Sequence, residues 1–216
     1  MKNYIILFIG FGLLTIGAIS AYFTNIFDIQ NTTQINSLYT IDKKITPEKT
    51  QNINFTLYFD FGCPSCQDFF TNTYLPLESE YKSKNINFSV LPYSQKTVGK
   101  SFTLAKYLTC MQKTNKSKTN NFIQNIKITD NIKDNKLFSE KIKKLELSEK
   151  ENSDFFTCIK DEKKIVEKEA LEIRKLARKK GVIGTPTFFI NDIKFERNQN
   201  YLKVSTILEN ILTKTL

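Results

Sequence analysis

Two cysteines three positions apart, Cys63 and Cys66, are the residues of this 216-residue chain best suited to chemistry. With Pro64 and Ser65 they form a Cys-Pro-Ser-Cys motif between a strand-like apolar run and a run with helical spacing. The unpaired N–H groups and the positive end of a helix start favour a thiolate, which is the form that attacks disulfides. Pro64 suits the first helical position, where no N–H donor is needed. The motif therefore predicts a reversible dithiol–disulfide couple.

The same spacing also occurs in half of a zinc site and in structural disulfides. A zinc site needs two further ligands, commonly a second close pair of cysteines or His residues. This chain has no His, and its remaining cysteines, Cys110 and Cys158, are far apart in the sequence. Without His, a Ser-His-Asp triad, a Cys-His dyad and a His-bound metal are all excluded. The composition thus favours redox chemistry over metal binding.

The composition also limits the class of protein. With 40% hydrophobic residues and 18 Phe, the chain can bury the core of one domain, with or without an insertion. The net charge of +10 arises mainly from lysines, and we interpret it as a solvated surface rather than a nucleic-acid site. Affinity for an anionic membrane surface stays open. The even number of cysteines suits an oxidising compartment.

The first 23 residues contain an uncharged apolar run from Tyr4 to Phe23. Residues 1–23 are predicted to be a signal peptide or an N-terminal membrane anchor, since the run can span a bilayer and small residues would allow cleavage before Ala21. The positive charge ahead of the run predicts that the rest of the chain is exported. Residues 24–50 are polar and predict a tether that includes an edge strand near 37–45.

The elements that would position the two cysteines follow in the order βαβ, helical block, ββα. Residues 51–95 predict a strand over 53–60, a helix from Cys66 with a kink at Pro76, and a second strand over 86–91. Strand, helix and strand of these lengths predict a right-handed crossover with parallel strands.

The rest of the chain divides into a helical block and a second strand pair. Residues 96–180 have only helical periodicity, which predicts an inserted helical domain. Its last helix, 161–180, is predicted to bury one stripe consisting of Val166, Ala170, Ile173 and Ala177. Residues 181–216 predict two antiparallel strands and a C-terminal helix over 200–212.

Two motifs together resemble the exported, DsbA-like family of thiol–disulfide oxidoreductases. They are Asp60-Phe61-Gly62-Cys63-Pro64-Ser65-Cys66 and Gly181-Val182-Ile183-Gly184-Thr185-Pro186-Thr187-Phe188. Their order, their separation and the helical block between them match that family over about residues 50–214. The resemblance implies an α/β thioredoxin fold, in which a central mixed sheet is flanked by helices and carries an inserted all-helical domain. It also implies that Pro186 is a cis-proline facing the sulfurs and that Thr185 binds an extended client segment.

The resemblance further implies a mechanism and a set of partners. Cys63 would attack and form a mixed disulfide with a client protein, and Cys66 would resolve it. An exported oxidase of this family is re-oxidised by a DsbB-like, quinone-linked membrane partner, in the bacterial periplasm or at the outer face of the cytoplasmic membrane. We expect a monomer with no cofactor, no metal and no nucleic-acid partner. The alternatives are a reductase or isomerase on the same fold and a non-catalytic thioredoxin-like binding module.

The chain departs from the family pattern at two positions. Ser65 replaces the His that the best-known members have between their cysteines. Stabilisation of the Cys63 thiolate would then come from backbone amides and the helix dipole alone, which predicts a milder oxidant than a Cys-Pro-His-Cys protein. Thr185 stands where DsbA proper commonly has Val, so the direction of the reaction with clients is less defined.

Cys110, Cys158 and Asp60 are further candidates for a structural or catalytic role. Related exported proteins carry cysteines near Cys110 and Cys158, so the resemblance implies a structural disulfide between them. Two separate buried thiols, or a second redox-active pair, are the alternatives. Asp60 could either cap its loop through backbone N–H groups or help to move the proton of Cys66.

Overall fold

The computed structural model describes residues 52–160 and 163–214, which form a mixed four-stranded sheet and its helices. The strands are β1 (Ile53–Phe59), β2 (Ile86–Pro92), β3 (Thr187–Ile190) and β4 (Ile193–Glu196). The α-helices are α1 (Pro64–Phe69), α2 (Leu75–Glu80), α3 (Lys100–Thr114), α4 (Thr119–Asn125), α5 (Asn135–Lys143), α6 (Glu149–Lys160), α7 (Lys163–Lys179) and α8 (Tyr201–Lys214). The signal or anchor segment, the tether and the edge strand expected before residue 51 lie outside the described residues. Within the described ranges, no helix combines the length and apolarity needed to cross a bilayer.

The sheet has the strand order β2-β1-β3-β4. β1 pairs in parallel with β2, as the crossover prediction required, and antiparallel with β3, which in turn pairs antiparallel with β4. Asn191 in the turn between β3 and β4 has a φ of +53°, a conformation that Asn tolerates better than most residues. The fold class inferred from the sequence is confirmed.

The helix that carries the two cysteines is continuous but irregular. It begins at Pro64, two residues before the predicted start, because Cys63 acts as its N-cap. A π-helical turn, Phe70–Tyr74, separates α1 from α2, and the N–H of Leu75 donates to the carbonyl of Phe70. Pro76 has no N–H for the carbonyl four residues earlier, so the irregularity expected at Pro76 is absorbed in the turn that precedes it.

An aromatic stack fixes this helix on the sheet. The ring of Phe188 on β3 stacks on Phe55 of β1, Phe69 of α1 and Phe195 of β4, with centroid distances of 5.1, 5.0 and 5.0 Å. Aromatic pairs of this kind contribute about 0.5–1.5 kcal/mol each beyond the area that they bury. Because Phe69 lies one helical turn after Cys66, the stack determines where the helix start meets the sheet.

The helical insertion, α3 to α7, lies between β2 and β3 in the sequence and packs on β2. Both α3 and α7 contact this strand, and the side-chain amide of Gln112 donates to the carbonyl of Val90 over 2.7 Å. The start of α6 is stabilised by a reciprocal capping box, in which the Glu151 carboxylate accepts from the Ser148 N–H over 2.8 Å. The stripe predicted for α7 is buried: Val166, Ala170, Ile173 and Ala177.

A disulfide between Cys110 and Cys158 joins α3 to α6 inside the insertion. Both residues are buried, and their Cα atoms are 5.8 Å apart. The pairing implied by the family resemblance is therefore present in the structure, and its role, structural or redox-active, stays a prediction.

Candidate active site

Cys63 lies at the start of α1, half-buried, and its sulfur contacts two parts of the chain. Its Sγ accepts from the N–H of Cys66 over 3.3 Å and lies 3.3 Å from the hydroxyl Oγ of Ser65. As a thiol it donates to the carbonyl oxygen of Thr185, also over 3.3 Å. Cys63 and Cys66 are both free thiols in this structure. The fold thus brings the two sequence motifs together at one sulfur.

The surroundings of Cys63 favour its thiolate. They lower the pKa of this thiol from an ordinary 9.0 to about 5, and the largest cause is the hydrogen bond with the side chain of Cys66. The side chains of Ser65 and Thr185 and the backbone of Cys66 lower it further, while partial burial opposes them. The expectation that backbone amides and the helix dipole act alone is wrong, because three side chains also take part. These contacts therefore favour the thiolate form of Cys63 at neutral pH.

Cys66 has the opposite character. Its side chain is fully buried, and burial raises the pKa of its thiol far above the ordinary range. The hydrogen bond with Cys63 raises it further, since two sulfurs in contact do not both ionise readily. The pair therefore consists of one accessible nucleophile and one shielded thiol that keeps its proton.

The loop over residues 181–186, here called the Thr185 loop, faces Cys63. Its Thr185–Pro186 peptide bond is cis. Gly181 ends α7 with a φ of +79°, a conformation that favours glycine. The carbonyl of Pro186 accepts from the N–H of Arg197 over 3.0 Å, a contact that the sequence did not reveal because any residue supplies a backbone N–H.

Asp60 is a buried carboxylate whose contacts are made to loops beside the cysteines. It accepts from the N–H of Gly62 over 2.8 Å, from the N–H of Gln95 over 3.0 Å, and from the hydroxyl of Ser101. Asp60 therefore caps its own loop and also ties it to the segment after β2. This is the first of the two roles expected for Asp60, and proton transfer to Cys66 stays a prediction.

Gly62 allows the close approach of this loop to α3. A Cβ at this position would lie 3.3 Å from the Cβ of Ser101 and 3.3 Å from the carboxylate of Asp60, which is tighter than most real contacts. Gln95 and Ser101 were not singled out from the sequence. The position of Gln95 after β2 was a signal in the sequence. The carboxyl ends of neighbouring parallel strands such as β1 and β2 meet at one edge of a sheet, so residues that follow β2 lie near residues that follow β1.

A metal centre finds no support in the part of the chain that the structure covers. No three His, Cys, Asp or Glu side chains are grouped there in a way that could hold an ion. The sulfur of Cys63 instead accepts from the N–H of Cys66.

Comparisons with known proteins agree with this geometry. A family profile described as thioredoxin matches residues 48–210. Among solved structures, the thiol-disulfide exchange protein alpha-DsbA2 from Wolbachia pipientis aligns with a TM-score of 0.61 at 17% identity, covering 87% of this chain and 96% of that one. The catalytic domain of Proteus mirabilis ScsC aligns with a TM-score of 0.52 at 15% identity, covering 85% of this chain and 98% of that one. Pseudomonas aeruginosa DsbA aligns with a TM-score of 0.51 at 16% identity, covering 80% of this chain and 88% of that one. A comparison with curated protein sequences gives no match. The chain belongs to the thioredoxin family, and its fold is that of DsbA-like thiol–disulfide oxidoreductases.

Proposed function

We propose that this thiol–disulfide oxidoreductase introduces disulfides into client proteins outside the cytoplasm. The Cys63–Cys66 disulfide is donated through a mixed disulfide between a client cysteine and Cys63, which a second client thiolate resolves in the oxidising direction and Cys66 in the reducing direction. The observation that carries the proposal is the half-exposed sulfur of Cys63, held 3.3 Å from the carbonyl of Thr185 while Cys66 is buried. A client segment that pairs with the backbone of Thr185 would present its own cysteine at Cys63.

The exchange proceeds in two displacements that conserve atoms and electrons. A client thiolate attacks Cys63, the bond between Cys63 and Cys66 breaks, and Cys66 leaves with the electron pair. A second client thiolate then attacks the client sulfur bound to Cys63, which forms the client disulfide and releases Cys63. The client loses two electrons and the protein gains two. Cys66 takes up one proton because its pKa is raised, and the other goes to solvent because Cys63 stays a thiolate.

The direction of the reaction follows from the stability of the reduced form. Contacts that lower the pKa of Cys63 stabilise the dithiol state relative to the disulfide, so the disulfide is readily given away. A low pKa also makes Cys63 a good leaving group from the mixed disulfide. Ser65 supplies one neutral hydroxyl where an imidazolium would supply a charge, and we therefore propose a milder oxidant than a Cys-Pro-His-Cys protein.

Export completes the proposal. Residues 1–23 act as a signal peptide or membrane anchor, 24–50 as a tether, 51–95 and 181–216 as the thioredoxin-fold parts, and 96–180 as the inserted helical domain. A disulfide such as Cys110–Cys158 suits an oxidising compartment, which supports a periplasmic or membrane-surface location. The protein works as a monomer and is re-oxidised by a DsbB-like, quinone-linked membrane partner.

Trapping tests the roles of the two cysteines. The Cys66→Ala variant lacks the thiol that can release a client by re-forming the Cys63–Cys66 bond, and it is expected to accumulate mixed disulfides through Cys63 in cells. The matched control, Cys63→Ala with Cys66→Ala, retains the fold but has no attacking sulfur. If both variants trap the same proteins in the same amounts, Cys63 is not the attacking residue.

Two assays on the purified protein then decide the direction. An oxidase speeds the oxidative refolding of a reduced client, whereas a reductase speeds the reduction of insulin by dithiothreitol without promoting correct refolding. We expect the refolding activity to dominate. Dominant insulin reduction would favour the reductase or isomerase, and activity in neither assay would favour a non-catalytic binding module.

A further inference from the structure

Gln95, in the segment after β2, contacts three separate parts of the chain. Its N–H donates to the Asp60 carboxylate over 3.0 Å, which links it to the loop before Cys63. Its side-chain Nε2 donates to the carbonyl of Ile183 in the Thr185 loop, also over 3.0 Å. Its own carbonyl accepts from the guanidinium of Arg174 on α7 over 3.0 Å. One residue therefore joins the redox motif, the Thr185 loop and the helical insertion.

Arg174 fixes the backbone of this segment. Its Nη2 donates to Gln95 and its Nε donates to the neighbouring carbonyl of Ser94 over 3.1 Å. The two N–H donors lie on one rigid guanidinium plane and therefore define the orientation of two consecutive carbonyls. A lysine could not define both orientations, because its single ammonium group rotates. The side chain of Gln95 consequently extends from a backbone that is held from both sides, by Asp60 and by Arg174.

The Thr185 loop is anchored at its ends, and at its middle the carbonyl of Gly184 accepts from the hydroxyl of Thr187 over 2.7 Å. Val182 and Pro186 are buried, and the Pro186 carbonyl is bonded to the N–H of Arg197. Between them, the side chain of Ile183 is 74% exposed, so it does not fix the loop by burial. The hydrogen bond from Gln95 reaches the backbone at this exposed residue, two positions before Thr185.

We propose that Gln95, oriented by Arg174, is a positioning residue that holds the Thr185 loop against the start of α1 and so sets the distance between Thr185 and Cys63. This inference rests on the proposed function in one respect, since that distance matters for exchange with clients. Loss of the contact lets the middle of the loop move away from Cys63 while the two cysteines and their helix stay in place. Client binding then weakens more than the chemical step.

The test compares substitutions that remove the donor with one that changes the same segment harmlessly. Gln95→Met keeps the length of the side chain and removes the N–H donor. Arg174→Lys keeps a donating group, a single ammonium, and Arg174→Met keeps none. The matched control is Thr97→Ala, a change at an exposed residue of the same segment. Thermal unfolding of each variant verifies that it is folded.

Two readouts are measured, and only one of them depends on activity. Hydrogen exchange of the amides of residues 183–185 reports on the loop itself, and loss of one hydrogen bond should accelerate it about threefold to tenfold in Gln95→Met. Single-turnover oxidation of a reduced two-cysteine peptide reports on clients. The half-saturating peptide concentration should rise about threefold to tenfold, with the saturating rate within about twofold of wild type. Arg174→Lys should lie between wild type and Arg174→Met.

Each outcome decides the inference. Faster exchange and weaker client binding in Gln95→Met and Arg174→Met, with Thr97→Ala like wild type, support it. Exchange in Gln95→Met equal to that in Thr97→Ala overturns it, as does a fall confined to the saturating rate. If the wild type oxidises no peptide, the proposed function fails, and the hydrogen-exchange comparison still decides whether Gln95 holds the loop.

Discussion

Ser65 allows the most direct test of how this site lowers the pKa of Cys63. Its hydroxyl lies 3.3 Å from the sulfur, and it takes the place that a His has in the best-known relatives. Ser65→Ala removes this hydrogen bond and changes little else at an exposed position. A hydrogen bond to a charged group contributes about 1.5–3 kcal/mol, which we reduce to about 1 kcal/mol because solvent screens a half-buried sulfur. Since one pKa unit corresponds to about 1.4 kcal/mol, the pKa of Cys63 should rise by about half a pH unit to one pH unit.

The assay follows the Cys63 thiolate across pH in the reduced protein. Its ultraviolet absorbance, or the rate of its alkylation by iodoacetamide, gives a midpoint that should lie at about 5 in the wild type. Ser65→Thr, which retains the hydroxyl, is the control and should leave the midpoint close to that value. Cys66→Ala should raise the midpoint more than Ser65→Ala does, because the side chain of Cys66 is the largest cause of the low pKa.

The order of the variants is the critical result. An unchanged midpoint in Ser65→Ala would show that the hydroxyl does not reach the thiolate in solution. A larger rise in Ser65→Ala than in Cys66→Ala would contradict the larger contribution of the Cys66 side chain. The first result would leave the stabilisation of the thiolate to the other contacts of Cys63, whereas the second would make the Ser65 hydroxyl the largest of these contacts.

Three further predictions concern pH and stability. The reduced protein should gain stability relative to its disulfide form as the pH rises from about 5 to 8. The reason is that the pKa of Cys63 in the folded protein lies below the 9.0 of an ordinary thiol. This stabilisation is lost as the pH falls through about 5. Denaturant unfolding of both forms measures this difference, and parallel pH profiles would contradict it. Replacing both Cys110 and Cys158 by Ala should lower the free energy of unfolding by about 4 kcal/mol and Tm by about 8–16 °C, because the disulfide joins residues 48 positions apart. Exchange activity at 25 °C should stay within about twofold of the wild type. An unchanged Tm would mean that this disulfide contributes nothing to the fold. Phe188→Ala should cost about 3–5 kcal/mol in denaturant unfolding, because its ring contacts both neighbouring strands and α1. A loss under about 1 kcal/mol would show that the aromatic stack does not anchor the helix.

The elements of this fold were predictable because each depends on local sequence. The period of apolar residues predicted the buried stripe of α7. The redox motif was equally visible, since a Cys-x-x-Cys between a strand and a helix has few other uses in a chain without His. The π-helical turn before Pro76 was not foreseen, because proline marks an irregularity without saying which neighbouring turn absorbs it.

The sequence by itself determined the kinds of element, their order and the two sulfurs that can react. Tertiary structure alone decided what surrounds those sulfurs. Cys63 and Thr185 are 122 residues apart in the chain, and their contact depends on how β3 packs beside β1. The contacts of Gln95 with Asp60, Ile183 and Arg174 likewise join segments that no local pattern relates. Hydrogen bonds across the fold depend on positions in space to within a few tenths of an ångström, whereas periodicity and capping depend only on neighbours along the chain.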